Sequence, residues 1–184
     1  MIARPLALAL TSALTLVAAA ATWFVFAAHA IDPPAGPPPS YLQAKGDALF
    51  NASFKPVGMA GAPLPALRGK PVIGYFWPSW CVECAAEVKA LQAVQDQHAG
   101  DGLVVLGFGV DQADRIERFA RTNGVGFAVF AGEQAAIDLS KKMGNLREGM
   151  PFVVAVDRQG RAVASHLGRF GPQTAQDMAV SALR

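Results

Sequence analysis

Cysteine is scarce in this chain: Cys81 and Cys84 are the only two among 184 residues. So low a count excludes a disulfide-laced scaffold and a four-cysteine zinc site. The three histidines, His29, His98 and His166, lie far apart without metal-ligand spacing, so they complete no mixed site and no metal is expected. A dominant charge is missing too. Lys and Arg total 16 against 14 Asp and Glu, and both signs are interspersed, which leaves no basic face for nucleic acid. There is no internal repeat.

Charge is also absent from a whole stretch near the amino terminus. After the short positive start Met1 to Arg4, residues Pro5 to Ala28 carry none and are rich in Leu, Ala, Val and Phe. As a helix, that run crosses about 30 Å of hydrocarbon, longer than the ~7–15 apolar residues of a secretory signal. Residues 1–30 therefore read as a transmembrane signal anchor. Arg4 and the amino terminus stay in the cytoplasm, Trp23 to Phe26 approach the outer interface, and the rest of the chain is exported. Ala28-His29-Ala30 has the small-x-small form of a cleavage site, which would instead release the domain after Ala30. Residues 31–40 hold Pro33, Pro34, Pro37, Pro38 and Pro39 and read as an extended spacer. Residues 41–184 are enough for a single domain with a sizeable core.

Within that domain, apolar runs and helical patterns alternate. Pro71 to Trp77 is a short buried strand, and Cys81 to His98 a helix with Cys84, Val88 and Leu91 on one face. Leu103 to Val110 is a second buried strand. Asp111 to Thr122 opens with a capping pattern and turns Ile116, Phe119 and Ala120 inward. Gly126 to Phe130 is a strand and Glu133 to Met143 a helix. Pro151 to Val156 and Ala162 to Leu167 flank the hairpin turn Asp157-Arg158-Gln159-Gly160, and Pro172 starts a last helix. Strand–helix alternation predicts parallel pairing, and the late hairpin adds antiparallel strands, so the class is α/β with a mixed sheet.

The two cysteines sit where the first of these strands hands over to a helix. There the backbone N–H groups and the positive end of the helix dipole favour a thiolate, which makes Cys81 the candidate nucleophile. Cys84, one turn further in and facing the core, is suited to attack a mixed disulfide and release the partner. Half a zinc site and a purely structural disulfide are the plainer readings of the pair. A peroxidatic cysteine would resemble the peroxiredoxin family, whose pattern has Pro seven and Thr or Ser three residues before the nucleophile, and Gly74 and Pro78 stand there.

Trp80-Cys81-Val82-Glu83-Cys84, then Met143-Gly144-Asn145, Gly149-Met150-Pro151-Phe152, and Asp157 with Gly160, in that order, resemble the thioredoxin superfamily. More narrowly they are similar to membrane-anchored thiol:disulfide reductases of the TlpA/ResA type, over Gly46 to the C-terminus. The resemblance implies a thioredoxin-like fold, a central mixed sheet flanked by helices and preceded by the N-terminal transmembrane helix. It implies that Pro151 is a cis-proline beside the cysteine pair, with the Met150 backbone free to pair with an extended substrate. It implies a catalytic acidic residue at Glu87, three residues after Cys84, although a surface carboxylate on an amphipathic helix is the alternative. Trp80 reads as exposed apolar surface for a partner, and Trp77 as core. No cofactor is expected. The partners implied are disulfide-bearing periplasmic proteins, apocytochrome c or copper-site cysteines among them, and a membrane electron donor, with the chain a monomer in the bacterial inner membrane.

Two departures from that pattern matter. Glu83, where these reductases often have proline, repels a Cys81 thiolate and competes for the same N–H groups. No Lys or Arg lies between Pro71 and Glu87, so a modestly depressed Cys81 pKa and a reducing pair are expected. Tyr75 stands where thioredoxins proper bury an aspartate, which throws proton transfer onto Glu87. The remaining alternatives are an oxidase of the same fold and a non-catalytic Cu(I)-delivery module.

Overall fold

The computed structural model describes residues 45–58 and 62–184. The anchor at 1–30, the spacer at 31–40 and the start of the domain at 41–44 lie outside the described residues. Among those described, no helix is long and apolar enough to cross a membrane.

The order of elements is α1 (Lys45–Phe50), β1 (Pro56–Val57), a 3-10 turn (Leu64–Leu67), β2 (Val72–Trp77), α2 (Cys84–Gln97), β3 (Val104–Gly109), α3 (Ala113–Asn123), β4 (Ala128–Ala131), α4 (Glu133–Lys142), β5 (Phe152–Val156), β6 (Ala162–Leu167) and α5 (Pro172–Leu183). The six strands form one sheet in the order β1-β4-β3-β2-β5-β6. β2, β3 and β4 run parallel, and β5, β6 and β1 pair antiparallel to their neighbours. The sheet is thus mixed, as the alternation predicts. The six-residue α1 and two-residue β1 carry too little periodicity to be read from sequence.

β2 is buried along its whole length, as expected of a strand covered on both faces. Ile73, Tyr75 and Trp77 pack with α2, α3 and α5, and Val72 and Phe76 pack with α1 and α4. Gly107 in β3 is required by this packing. A Cβ there would stand 2.7 Å from the Trp77 indole, whose ring stacks on Tyr75 at 5.2 Å.

Two helix starts differ from expectation. α2 begins at Cys84 rather than Cys81, because the Cys81 to Glu83 carbonyls accept i+3 bonds, Cys84 N–H to Cys81 O at 3.3 Å among them. α3 begins at Ala113. Its Asp111 caps nothing, being turned toward the Ser79 hydroxyl, and Gln112 takes the cap position without a side-chain bond.

Candidate active site

β2 delivers the chain to its C-terminal end, where Val110 N–H bonds Trp77 O at 2.8 Å and Cys81 N–H bonds Pro78 O at 3.1 Å. That turn sets the cysteine pair at the mouth of α2. The two sulfurs are joined in a disulfide with Cα atoms 5.4 Å apart. Their access differs: Cys81 is 7% exposed and Cys84 0%. Trp80 and Val82, 77% and 82% exposed, put apolar surface on both sides of Cys81.

Glu87 is buried, 2% exposed, so the solvated-carboxylate alternative does not hold. One carboxylate oxygen accepts the Tyr75 hydroxyl at 2.5 Å and the other accepts Phe170 N–H at 3.0 Å. Burial pushes the Glu87 carboxyl above its ordinary range, and the two hydrogen bonds, with His166 and Arg169 nearby, oppose that shift. Tyr75 is fully buried. Its phenol is driven far up by burial first, then by the hydrogen bond to Glu87 and its charge.

The Met150–Pro151 peptide bond is cis. Phe152 pairs with Phe76, so the register sets Pro151 opposite Trp77, at the sheet end from which the cysteine turn departs. Asn145 holds the preceding loop by donating to Gly149 O at 2.8 Å and to the Ser140 hydroxyl at 3.2 Å. Among the described residues neither backbone group of Met150 has a backbone partner. The Met150 side chain packs against the α1/α4 side of the core.

Some contacts were not foreseen. Arg169, in the loop after β6, approaches Glu83 at 3.7 Å, so the Glu83 charge is partly compensated by a cation remote in sequence. Nor does Glu83 take the helix N–H groups, since its side chain makes no capping bond. The Asp111 carboxylate accepts the Ser79 hydroxyl and Gln112 N–H, and the Ser79 bond is the main cause holding its pKa below the ordinary value. This ties β3 to the turn before Cys81. Its only sequence signal was an acidic residue at a strand end, which also fits a cap. Among the described residues no group of three or more His, Cys, Asp or Glu side chains gathers to hold a metal.

A central strand running into a disulfide turn, flanked by a cis-proline loop on a mixed sheet, places the chain in the thioredoxin superfamily. Residues 48–173 match the AhpC/TSA family, and the chain belongs to it. The thiol-disulfide oxidoreductase ResA of Bacillus thuringiensis (strain Al Hakam) is 27% identical over 108 residues, 57% of this chain and 59% of ResA. The match thus spans about three-fifths of that relative. A thioredoxin-like protein of Synechocystis is 48% identical over 42 residues, 23% of this chain and 38% of its own. Among solved structures, dsbF of MTB superposes with a TM-score of 0.62 at 22% identity, covering 74% of this chain and 98% of its own. A thiol:disulfide interchange protein DsbE from Chlorobium tepidum gives 0.61 at 23% identity, with 72% and 95% covered. These structures share the fold.

Proposed function

We propose that the chain is an exported thiol:disulfide oxidoreductase, anchored in the bacterial inner membrane through residues 1–30, that reduces disulfides of periplasmic clients. The Cys81 thiolate attacks one sulfur of the client disulfide; a Cys81–client bond forms, the client S–S bond breaks, and the freed client sulfur takes up a proton. Cys84 passes its proton to Glu87 and attacks Cys81 Sγ. The ring disulfide forms and the second client sulfur leaves as a thiolate that is then protonated. The client gains two electrons and two protons, and the enzyme is left oxidised until a membrane donor of reducing equivalents restores its thiols.

The observation that carries this proposal is the asymmetry of the pair. Cys81 reaches solvent between Trp80 and Val82, whereas Cys84 is fully buried on the helix that carries the buried Glu87. A nucleophile must meet its client, and a resolving thiol must be kept from it. The Met150 backbone, without a backbone partner among the described residues, supports strand-like pairing with an extended client segment. The test is the reduction potential of the pair, by equilibration in glutathione or dithiothreitol buffers. A value near or below about −270 mV is expected of a reductase, and one near about −120 mV would mean a disulfide donor.

A further inference from the structure

Tyr75 lies in the middle of β2, fully buried, with its ring stacked on Trp77 at 5.2 Å and edge-on to Phe170 at 5.7 Å. A ring clamped in this way cannot swing aside, so the direction of its hydroxyl is fixed. That hydroxyl is spent on Glu87, at 2.5 Å, and the second Glu87 oxygen is held by Phe170 N–H at 3.0 Å. The carboxylate is therefore aimed by two donors from outside its own helix. It stands three residues after Cys84, on the same helical face.

We propose that Tyr75 is a positioning residue for thiol exchange: its hydroxyl holds the Glu87 carboxylate oriented and ionised beside Cys84, and so sets the pH at which the mixed disulfide resolves. This rests on Glu87 being the proton acceptor in the proposed function. The proton moves from Cys84 Sγ to Glu87, the Cys84 thiolate bonds Cys81 Sγ, and the client sulfur departs with the electron pair of the broken bond. Tyr75 keeps its own proton throughout, because burial and the carboxylate beside it hold the phenol far from ionisation. Among the described residues, the other charged or titratable groups acting on Glu87 are His166 from β6 and Arg169 from the loop after it. His166 Nε2 engages Arg169 O at 3.1 Å and Arg169 approaches Glu83 at 3.7 Å. Among the described residues, the side-chain hydrogen bond to Glu87 comes from Tyr75.

The experiment is stopped-flow reaction of the reduced full-length chain with Ellman's reagent across pH. The first release of thionitrobenzoate reports attack by Cys81, and the second reports resolution by Cys84. In the wild-type chain the second phase should fall at acid pH along a limb set by Glu87, and E87Q should abolish that limb. Y75F keeps the ring and removes the donor, so it should move the limb up by about one pH unit and leave the first phase unchanged. Fluorotyrosine at position 75, a stronger donor of nearly the same shape, should move it down. A limb that survives in E87Q, or is lost in H166Q, overturns Glu87 as acceptor and this inference with it. A limb that E87Q abolishes but Y75F leaves in place overturns the role of Tyr75 alone, whatever Y75F does to the melting temperature.

Discussion

The pairing of Tyr75 with Glu87 makes an unusual demand on stability: removing the same hydroxyl should help in one background and harm in another. In the wild-type chain, Tyr75→Phe deletes a buried bond to a carboxylate, worth about 1.5–3 kcal/mol. Trp77 stacking and the Phe170 contact survive, because the ring stays. Glu87→Leu removes the acceptor instead and leaves the fully buried Tyr75 hydroxyl with nothing to bond, at a cost of about 1–3 kcal/mol for that donor. Adding Tyr75→Phe to Glu87→Leu removes the orphaned hydroxyl, so the double variant should be more stable than Glu87→Leu by about 1–3 kcal/mol. Phe170 N–H is orphaned in both members of that comparison and cancels. Urea denaturation at neutral pH measures all four corners of the cycle, provided the m-values agree. Should Tyr75→Phe destabilise both backgrounds equally, the hydroxyl is not committed to Glu87 and the account of the site is wrong.

Three further outcomes follow from the same geometry. Because burial holds the folded Glu87 carboxyl above its unfolded value of 4.5, the folded chain binds more protons than the unfolded one between those two values. The stability of the wild-type chain relative to Glu87→Gln should therefore be greatest in acid and decline as pH rises through the folded value; thermal melting of both chains across pH reads this, and a gap that widens with pH contradicts it. Gly107→Ala would set a methyl 2.7 Å from a fully buried indole, so a loss of about 1–3 kcal/mol is expected by urea denaturation. Arg169→Ala removes the cation beside Glu83 and should lower the reduction potential, whereas Glu83→Gln should raise it. An exposed pair is worth about 0.2–1 kcal/mol, so each shift should be on the order of 10 mV, and two shifts of the same sign would dismiss the pair as an influence on Cys81.

The central strand and the cysteine turn were legible because each announces itself locally. Val72 to Trp77 is an unbroken apolar run, and a Cys-x-x-Cys behind it needs no partner elsewhere to be noticed. Pro151 was legible through its resemblance to a known motif. What could not be read lies at long range: Phe170 reaches Glu87 across 83 positions and Ser79 reaches Asp111 across 32, and no periodicity reports such pairs. Glu83 was read as an uncompensated charge for the same reason, since Arg169 arrives from the far side of β6. Tyr75 is the most instructive case. Against the thioredoxin pattern it reads as a loss, a strand position without its aspartate. In the fold the strand contributes the hydroxyl and the helix contributes the acid, and the two meet at 2.5 Å, with Tyr75 in the same buried cluster as both cysteines. A tyrosine at that strand position finds an acid to bond only because Glu87 is buried with it. Exposed, Glu87 would not need the bond; without Tyr75, its burial would leave a carboxylate held by one backbone N–H. Strand residue and helix residue are thus one hydrogen-bonded unit, and a substitution at either should be judged by what it does to the other.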